Sequence, residues 1–330
     1  MTLIATVYLR RWWCGLAVLP AGCAGPQSAL DPAGPAAASI DRLGEWMYAG
    51  AAVVVVLVTV LALLPVLRRR ERRPHRELFL WGGGVALPLL TLTVLVPYIF
   101  TVGHGTRAPL APGQLSVEIT GHQFWWEVSY RRAPGPGPAE SANELRLPIG
   151  EPVELLLRST DVIHSLWIPS LAGKTDLIPG RVNRMVIQAD RPGVYRGQCA
   201  EFCGRQHGFM ALDVIAMPRA QFDAWLARLA QPAPEPATAL LRAGRAVFDS
   251  VGCAACHAVR GVSAGQFGPD LTLLGSRRSI GAGVLGGGMG NIGGWIASAQ
   301  HIKPGNAMPS FDRLPGNDLR ALAAWLASLK

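Results

Sequence analysis

The stretch QCAEFCGRQHGFM, Gln198–Met210, brings two thiols, an imidazole and a thioether into thirteen residues, with a carboxylate between the thiols. A disulfide would need the cysteines alone. Soft thiolates combined with imidazole and thioether select copper or zinc. Working outward, a further histidine stands in DVIHSLWIP at His164. Cys199, Cys203, His164 and His207 would satisfy a structural zinc, and Met210 would then be surplus. A single blue-copper ion uses one Cys, two His and a weak Met, so the second Cys provides for a second metal. With both thiolates bridging two coppers, each metal takes one His, and Met210 and a backbone carbonyl serve as the weak ligands. One electron shared over such a rigid core spreads each change of geometry thinly, which suits rapid transfer. The full donor set favours this centre over the disulfide or zinc.

The pattern around this cluster is strand-like. LSVEIT, FWWEVSY, ELRLP, VELLLRS, RVNRMVIQA, VYRG and ALDVIA alternate apolar and polar residues, with breakers such as RRAPGPGP and LAGKTDLIPG between them. About seven strands over residues 108–230 predict a small antiparallel sandwich or barrel. The soft-ligand cluster falls on the loop between the last two strands. RAQFDAWLARLA, Arg219–Ala230, closes this module as a short helix.

Toward the N-terminus the chain becomes apolar. Half of its 330 residues are hydrophobic and 16% are charged. Two charge-free runs, Trp46–Leu67 and Leu78–Phe100, each exceed the ~20 residues that cross a hydrocarbon core, and together they predict a transmembrane hairpin over 45–100. Between them RRRERRPHR holds six arginines in nine residues, so the hairpin tip is cytoplasmic and both flanks lie outside. With those six set aside, about +3 of the formal +9 remains and no aromatic-basic patch stands out, which argues against nucleic acid as a partner. Arg10 and Arg11 before a short apolar stretch ending in small residues read as a secretory signal over 1–22, with a periplasmic segment 23–44 after it. LPAGC resembles a lipoprotein box that would acylate Cys23, although Pro20 stands where leucine is usual.

Toward the C-terminus lies a Pro-rich linker, 231–239, in which the eight residues of QPAPEPAT, Gln231–Thr238, span roughly 25 Å at ~3.1 Å each. The module after it, 240–330, opens and closes with helical periodicity. Cys253-Ala-Ala-Cys256-His257 is C-x-x-C-H, the attachment motif of a c-type haem, in which two thiols meet the vinyl groups and the histidine ligates iron. Met308 in KPGNAMPS is the candidate second axial ligand, ahead of Met289 and His301. The Pro269 carbonyl is a candidate acceptor for the free N–H of His257. A redox C-x-x-C would need a thioredoxin-like βαβ context, and the pattern offers none.

Residues 240–330 resemble a class I cytochrome c, with Gly244 and Phe248 on the first helix and Trp325 on the last, which implies an all-α domain. Residues 24 to 230 resemble subunit II of cytochrome c oxidase. The likeness runs in order through GPQSALDPAGPAA, the hairpin, GHQFWWEVSY, DVIHSLWIPSLAGKTDLIPGR and the soft-ligand cluster. It implies a cupredoxin-like Greek-key domain whose binuclear CuA centre takes His164, Cys199, Cys203, His207, Met210 and the Glu201 carbonyl. It also implies that the Glu201 carboxylate helps hold a magnesium ion shared with subunit I.

Many family members carry Trp as the first aromatic after GHQ, where an external cytochrome c delivers its electron. Here Phe124 stands there, followed by Trp125 and Trp126, and the fused haem supplies a reason for the change. Glu77 is the one candidate for the family's proton-feeding Glu near the second span, and its offset to Trp81 departs from the family's pattern. The resemblance as a whole implies a caa3-like electron-entry subunit in a bacterial inner membrane. Its partners would be subunit I, other oxidase subunits and a soluble electron donor such as cytochrome c. The alternatives are the input subunit of a nitric oxide reductase and a periplasmic copper-holding lipoprotein.

Overall fold

The computed structural model describes residues 25–68, 76–105, 114–131 and 138–330. The expected signal segment with Cys14 and Cys23, and most of the arginine-rich loop, lie outside the described residues.

Helix α1 covers Pro35–Arg68 and so begins eleven residues before the apolar run. Its first turns belong to the sandwich, which the apolar pattern alone does not reveal. Ala36 and Ala37 are buried there, and Ala33 exchanges backbone hydrogen bonds with Ser170 and Asp190. The second apolar run opens as a π-helical stretch, Leu78–Ala86, in which the Leu87 N–H reaches back five residues to the Gly82 carbonyl, and continues as α2, Leu87–Gly105. Both helices are long and apolar enough to cross a membrane. Their threonines direct their hydroxyls inward: Thr59 donates to the Val55 carbonyl and Thr91 to that of Leu87, which leaves neither hydroxyl unpaired in an apolar setting. Glu77 accepts from the Trp81 indole at 3.1 Å.

The next module is a two-sheet sandwich of ten strands. These are β1 Ser116–His122, β2 Trp125–Tyr130, β3 Ala139–Ala142, β4 Glu144–Pro148, β5 Val153–Ser159, β6 His164–Trp167, β7 Thr175–Leu177, β8 Asn183–Ile187, β9 Gly193–Cys199 and β10 Ala211–Met217. One sheet runs β3-β2-β1-β5-β8 and the other β4-β10-β9-β6-β7. The expected all-antiparallel pairing is corrected here, because β1 lies parallel to β5 and β10 parallel to β4. Those partners are distant in the chain, and alternation within a strand carries no information about them. Strands β3, β6 and β7 were also not expected; they are only three or four residues long. Trp126, Tyr130, Leu145, Leu155 and Ile168 fill the space between the sheets. Helix α3, Arg219–Leu229, covers one end with Phe222 and Trp225 against Tyr130.

Thr238 caps helix α4, Ala239–Ser250, by accepting from the Leu241 amide, so the last module starts where the prolines end. A helical turn α5, Cys253–Cys256, follows, then α6, Met289–Ile302, and α7, Gly316–Ser328. Helices α4 and α7 cross at Gly244, where a Cβ would lie 2.0 Å from the Ala321 carbonyl oxygen, so only glycine fits. Phe248 and Trp325 meet edge-on beside that crossing. The remainder of the module is loop, with two two-residue hairpins as its only strands among the described residues.

The two modules on either side of the linker are docked. Leu273 of the helical module joins the sandwich core, and Ser279 donates to the Asp213 carboxylate at 2.5 Å. The Ala211 amide donates to the Ala282 carbonyl, and the Arg278 amide to Glu144.

Candidate metal and haem centres

The soft donors converge where β9 ends. Cys199 is its last residue, and the chain then loops through Cys203 and a single 3-10 turn, His207–Phe209, to Met210 at the start of β10. His164 comes from β6, the strand hydrogen-bonded beside β9. The two sulfurs lie 3.7 Å apart, far beyond the ~2.05 Å of a disulfide. Each has its own imidazole and one weaker donor. Cys199 Sγ has His164 Nδ1 at 3.8 Å and the Glu201 carbonyl oxygen at 3.3 Å. Cys203 Sγ has His207 Nδ1 at 3.7 Å and Met210 Sδ at 3.9 Å. All six expected donors are therefore brought together.

The surroundings prepare this set for a cation. Cys203, beside it, holds the Cys199 thiol well below its ordinary pKa; burial opposes this, while His164 and backbone groups of Ser165 and Glu201 add to it. The same pairing, with burial, pushes Cys203 up. A bound metal's charge would favour the thiolate form of both sulfurs. Asp161 sits 2.8 Å from His164 Nε2, which fixes the tautomer with Nδ1 free toward the sulfurs. Burial would raise the Asp161 carboxyl, but His164 and the amides of Val162 and Gln123 outweigh it and hold it low. Gly121 makes room for the ring: a Cβ there would lie 2.8 Å from His164 Cδ2. Neither Asp161 nor Gly121 was expected as a site residue. The only signal for Asp161 is the D-x-x-H spacing. The Glu201 side chain, by contrast, is exposed while its carbonyl points inward.

The helical module forms most of a cavity of about 500 Å³, lined by Cys253, Cys256, His257 and Met308 among others. His257 Nδ1 meets the Pro269 carbonyl at 2.8 Å, as expected, leaving Nε2 available to iron. The Trp295 indole donates to Met308 Sδ at 3.2 Å. Met289 and His301 do not line the cavity. Arg277, which was not expected, does line it; its Nε is buried without a partner, and its Nη2 donates to the Asp270 carbonyl. An apolar cavity with two thiols, an axial pair and an orphaned guanidinium N–H fits a porphyrin that carries carboxylates.

One wall of that cavity comes from the sandwich. Gln123, Phe124, Trp125 and Asn143 line it. Trp125 stacks on His122, with ring centroids 4.3 Å apart. Trp126 is fully buried, 6.0 Å from the His164 ring, and its indole donates to the Met210 carbonyl at 3.4 Å. The three aromatics after GHQ therefore separate the haem cavity from the soft-ligand cluster. Lys303 completes the junction. It is 2% exposed, and burial draws its pKa down to about 7.

Residues 138–217 match the family described as cytochrome c oxidase subunit II, periplasmic domain, and residues 241–330 match the cytochrome c family. The cytochrome c oxidase subunit 2 of Alkalihalophilus pseudofirmus is 33% identical over 94% of this chain and 93% of its own length. The protein of the same name from Bacillus subtilis is 29% identical over 96% of both chains. Among solved structures, the periplasmic domain of subunit II of the Bradyrhizobium japonicum oxidase is 29% identical and covers 36% of this chain and 93% of that one, with a TM-score of 0.33.

Proposed function

This chain belongs to the cytochrome c oxidase subunit 2 family, with a cytochrome c module fused to its cupredoxin-like domain, and from that premise we propose how its residues divide the task of electron entry into the terminal oxidase. Cys253 and Cys256 would attach haem c through their sulfurs, and His257 and Met308 would ligate its iron. His164, Cys199, Cys203, His207, Met210 and the Glu201 carbonyl would hold the paired coppers. When bound, these groups supply one-electron relay from a soluble donor toward subunit I, where oxygen is reduced.

The protein's own contribution is position. Asp161 and Gly121 fix the His164 ring, and Pro269 fixes that of His257. Phe124 and Trp125 close the haem cavity on the copper side, while Trp126 links that wall to Met210 and His164. The Glu201 carboxylate is exposed and would be available to a magnesium ion shared with subunit I. The arginine-rich loop between the apolar runs supports an orientation with both modules on the outer face of a bacterial inner membrane.

The observation that carries this reading is the shared wall: Phe124 and Trp125 line the haem cavity, while the adjacent Trp126 touches the copper-ligand loop. Photoreduction of the haem in the assembled oxidase tests it. The haem should pass its electron to copper within the same chain. Met308→Ala should abolish that fast step while both coppers stay bound. Unchanged transfer in the variant would remove Met308 as axial ligand.

A further inference from the structure

Lys303 terminates α6, lines the haem cavity, and is buried in the seam between the modules. Its Nζ donates to three carbonyl oxygens: Phe124 at 2.7 Å, Phe209 at 2.9 Å and Gly281 at 2.9 Å. The first two belong to the copper module and the third to the haem module. We infer that Lys303 is a positioning residue for the haem-to-copper step, pinning the haem module in one pose against the aromatic wall and the copper-ligand loop. The inference rests on the relay proposed above.

In its ammonium form Lys303 has three donors, and all three have a carbonyl acceptor here. Lysine is rarely buried without a carboxylate, and none accepts from Lys303. The cost of burying it is offset only if three carbonyls converge, and they converge only when the modules are docked. The side chain therefore discriminates between the docked pose and any other. The positions of the acceptors matter as well. Phe124 begins the aromatic wall, and Phe209 precedes Met210. One side chain thus ties together the haem cavity, the wall and the loop that presents four of the soft donors. Gln206 supports the same corner by donating to the Pro304 carbonyl at 2.8 Å.

A flexible tether alone would hold the donor at an effective concentration of about millimolar order, in a fluctuating pose. A pinned donor transfers at a rate fixed by distance, independent of solvent viscosity. Lys303 is thus the residue that changes a gated encounter into a fixed junction.

The test uses the assembled, metal-loaded oxidase, following electron transfer from photoreduced haem c to copper across a glycerol series. The unsubstituted chain should give a rate constant that does not change with viscosity. Lys303→Met should be at least tenfold slower and should slow further in glycerol. Its haem spectrum and copper paramagnetic signal should be unchanged, which a general loss of structure would not leave intact. Lys303→Gln, which keeps two donors, should fall between. Equal, viscosity-independent rates in all three would overturn the pin alone. Absence of any haem-to-copper transfer in the unsubstituted chain would overturn the relay, and the pin with it. If neither variant assembles, the unsubstituted chain decides by itself: a flat viscosity series supports the pin and a falling one refutes it.

Discussion

The copper-ligand loop and the haem module solve the same problem, holding a redox centre still, in opposite ways. The soft-ligand cluster sits on a sandwich whose core is already full. Trp126, Leu166 and Ile168 are buried around it, and each other donor lies within 4 Å of a cysteine sulfur, four of the donors coming from the loop between β9 and β10 and His164 from β6. The haem module instead surrounds a cavity of about 500 Å³ with short helices and loops. That space is lined mostly by apolar side chains, so the small module lacks core mass that a porphyrin would supply. Copper is therefore a guest in a finished structure, whereas haem is part of its module's core.

The largest expected effect follows directly. Cys253→Ala with Cys256→Ala should leave the haem module unfolded and protease-sensitive, while the sandwich keeps its circular dichroism and still takes up copper. A compact haem-free module would break the comparison. Next in size is Gly121→Ala, which drives a Cβ into His164. The sandwich should lose about 1–3 kcal/mol, and the copper paramagnetic signal should change with no change in the haem spectrum. Asp161→Asn is milder: it keeps the fold but weakens the orientation of His164, so copper affinity measured by competition should fall ~10–100-fold.

The smallest effect probes the seam. The Glu140 carboxyl is raised by burial first, then by the negative charges of Glu127 and Asp270, the latter from the haem module. A raised carboxyl favours the protonated form, so its ionised form costs stability at neutral pH, and the cost disappears as pH falls below the ordinary carboxylate range. Glu140→Gln should accordingly raise the melting temperature by about 1–2 °C at pH 7 and leave it unchanged near pH 4.

The same contrast explains what could be read from the chain. The haem attachment motif is contiguous, and five of the six copper donors lie within Cys199–Met210, so composition and spacing point to both centres. The partner strands could not be read, because β1 meets β5, and β4 meets β10, across the chain. His164 was legible as a donor, but its strand was not, being four residues long. Lys303 was invisible as a junction residue. All its acceptors are backbone carbonyls, which carry no side-chain signature, and KPGNAMPS reads as a turn. Arg277 was silent for a related reason: its role depends on a cavity, not on neighbours in sequence.

The most direct test of the central claim is copper and iron analysis with electron paramagnetic resonance on the fully loaded chain. Two coppers and one iron per chain, with a single unpaired electron shared equally by both coppers, is the predicted result. One copper per chain, or a bond between the Cys199 and Cys203 sulfurs in the loaded protein, would contradict it.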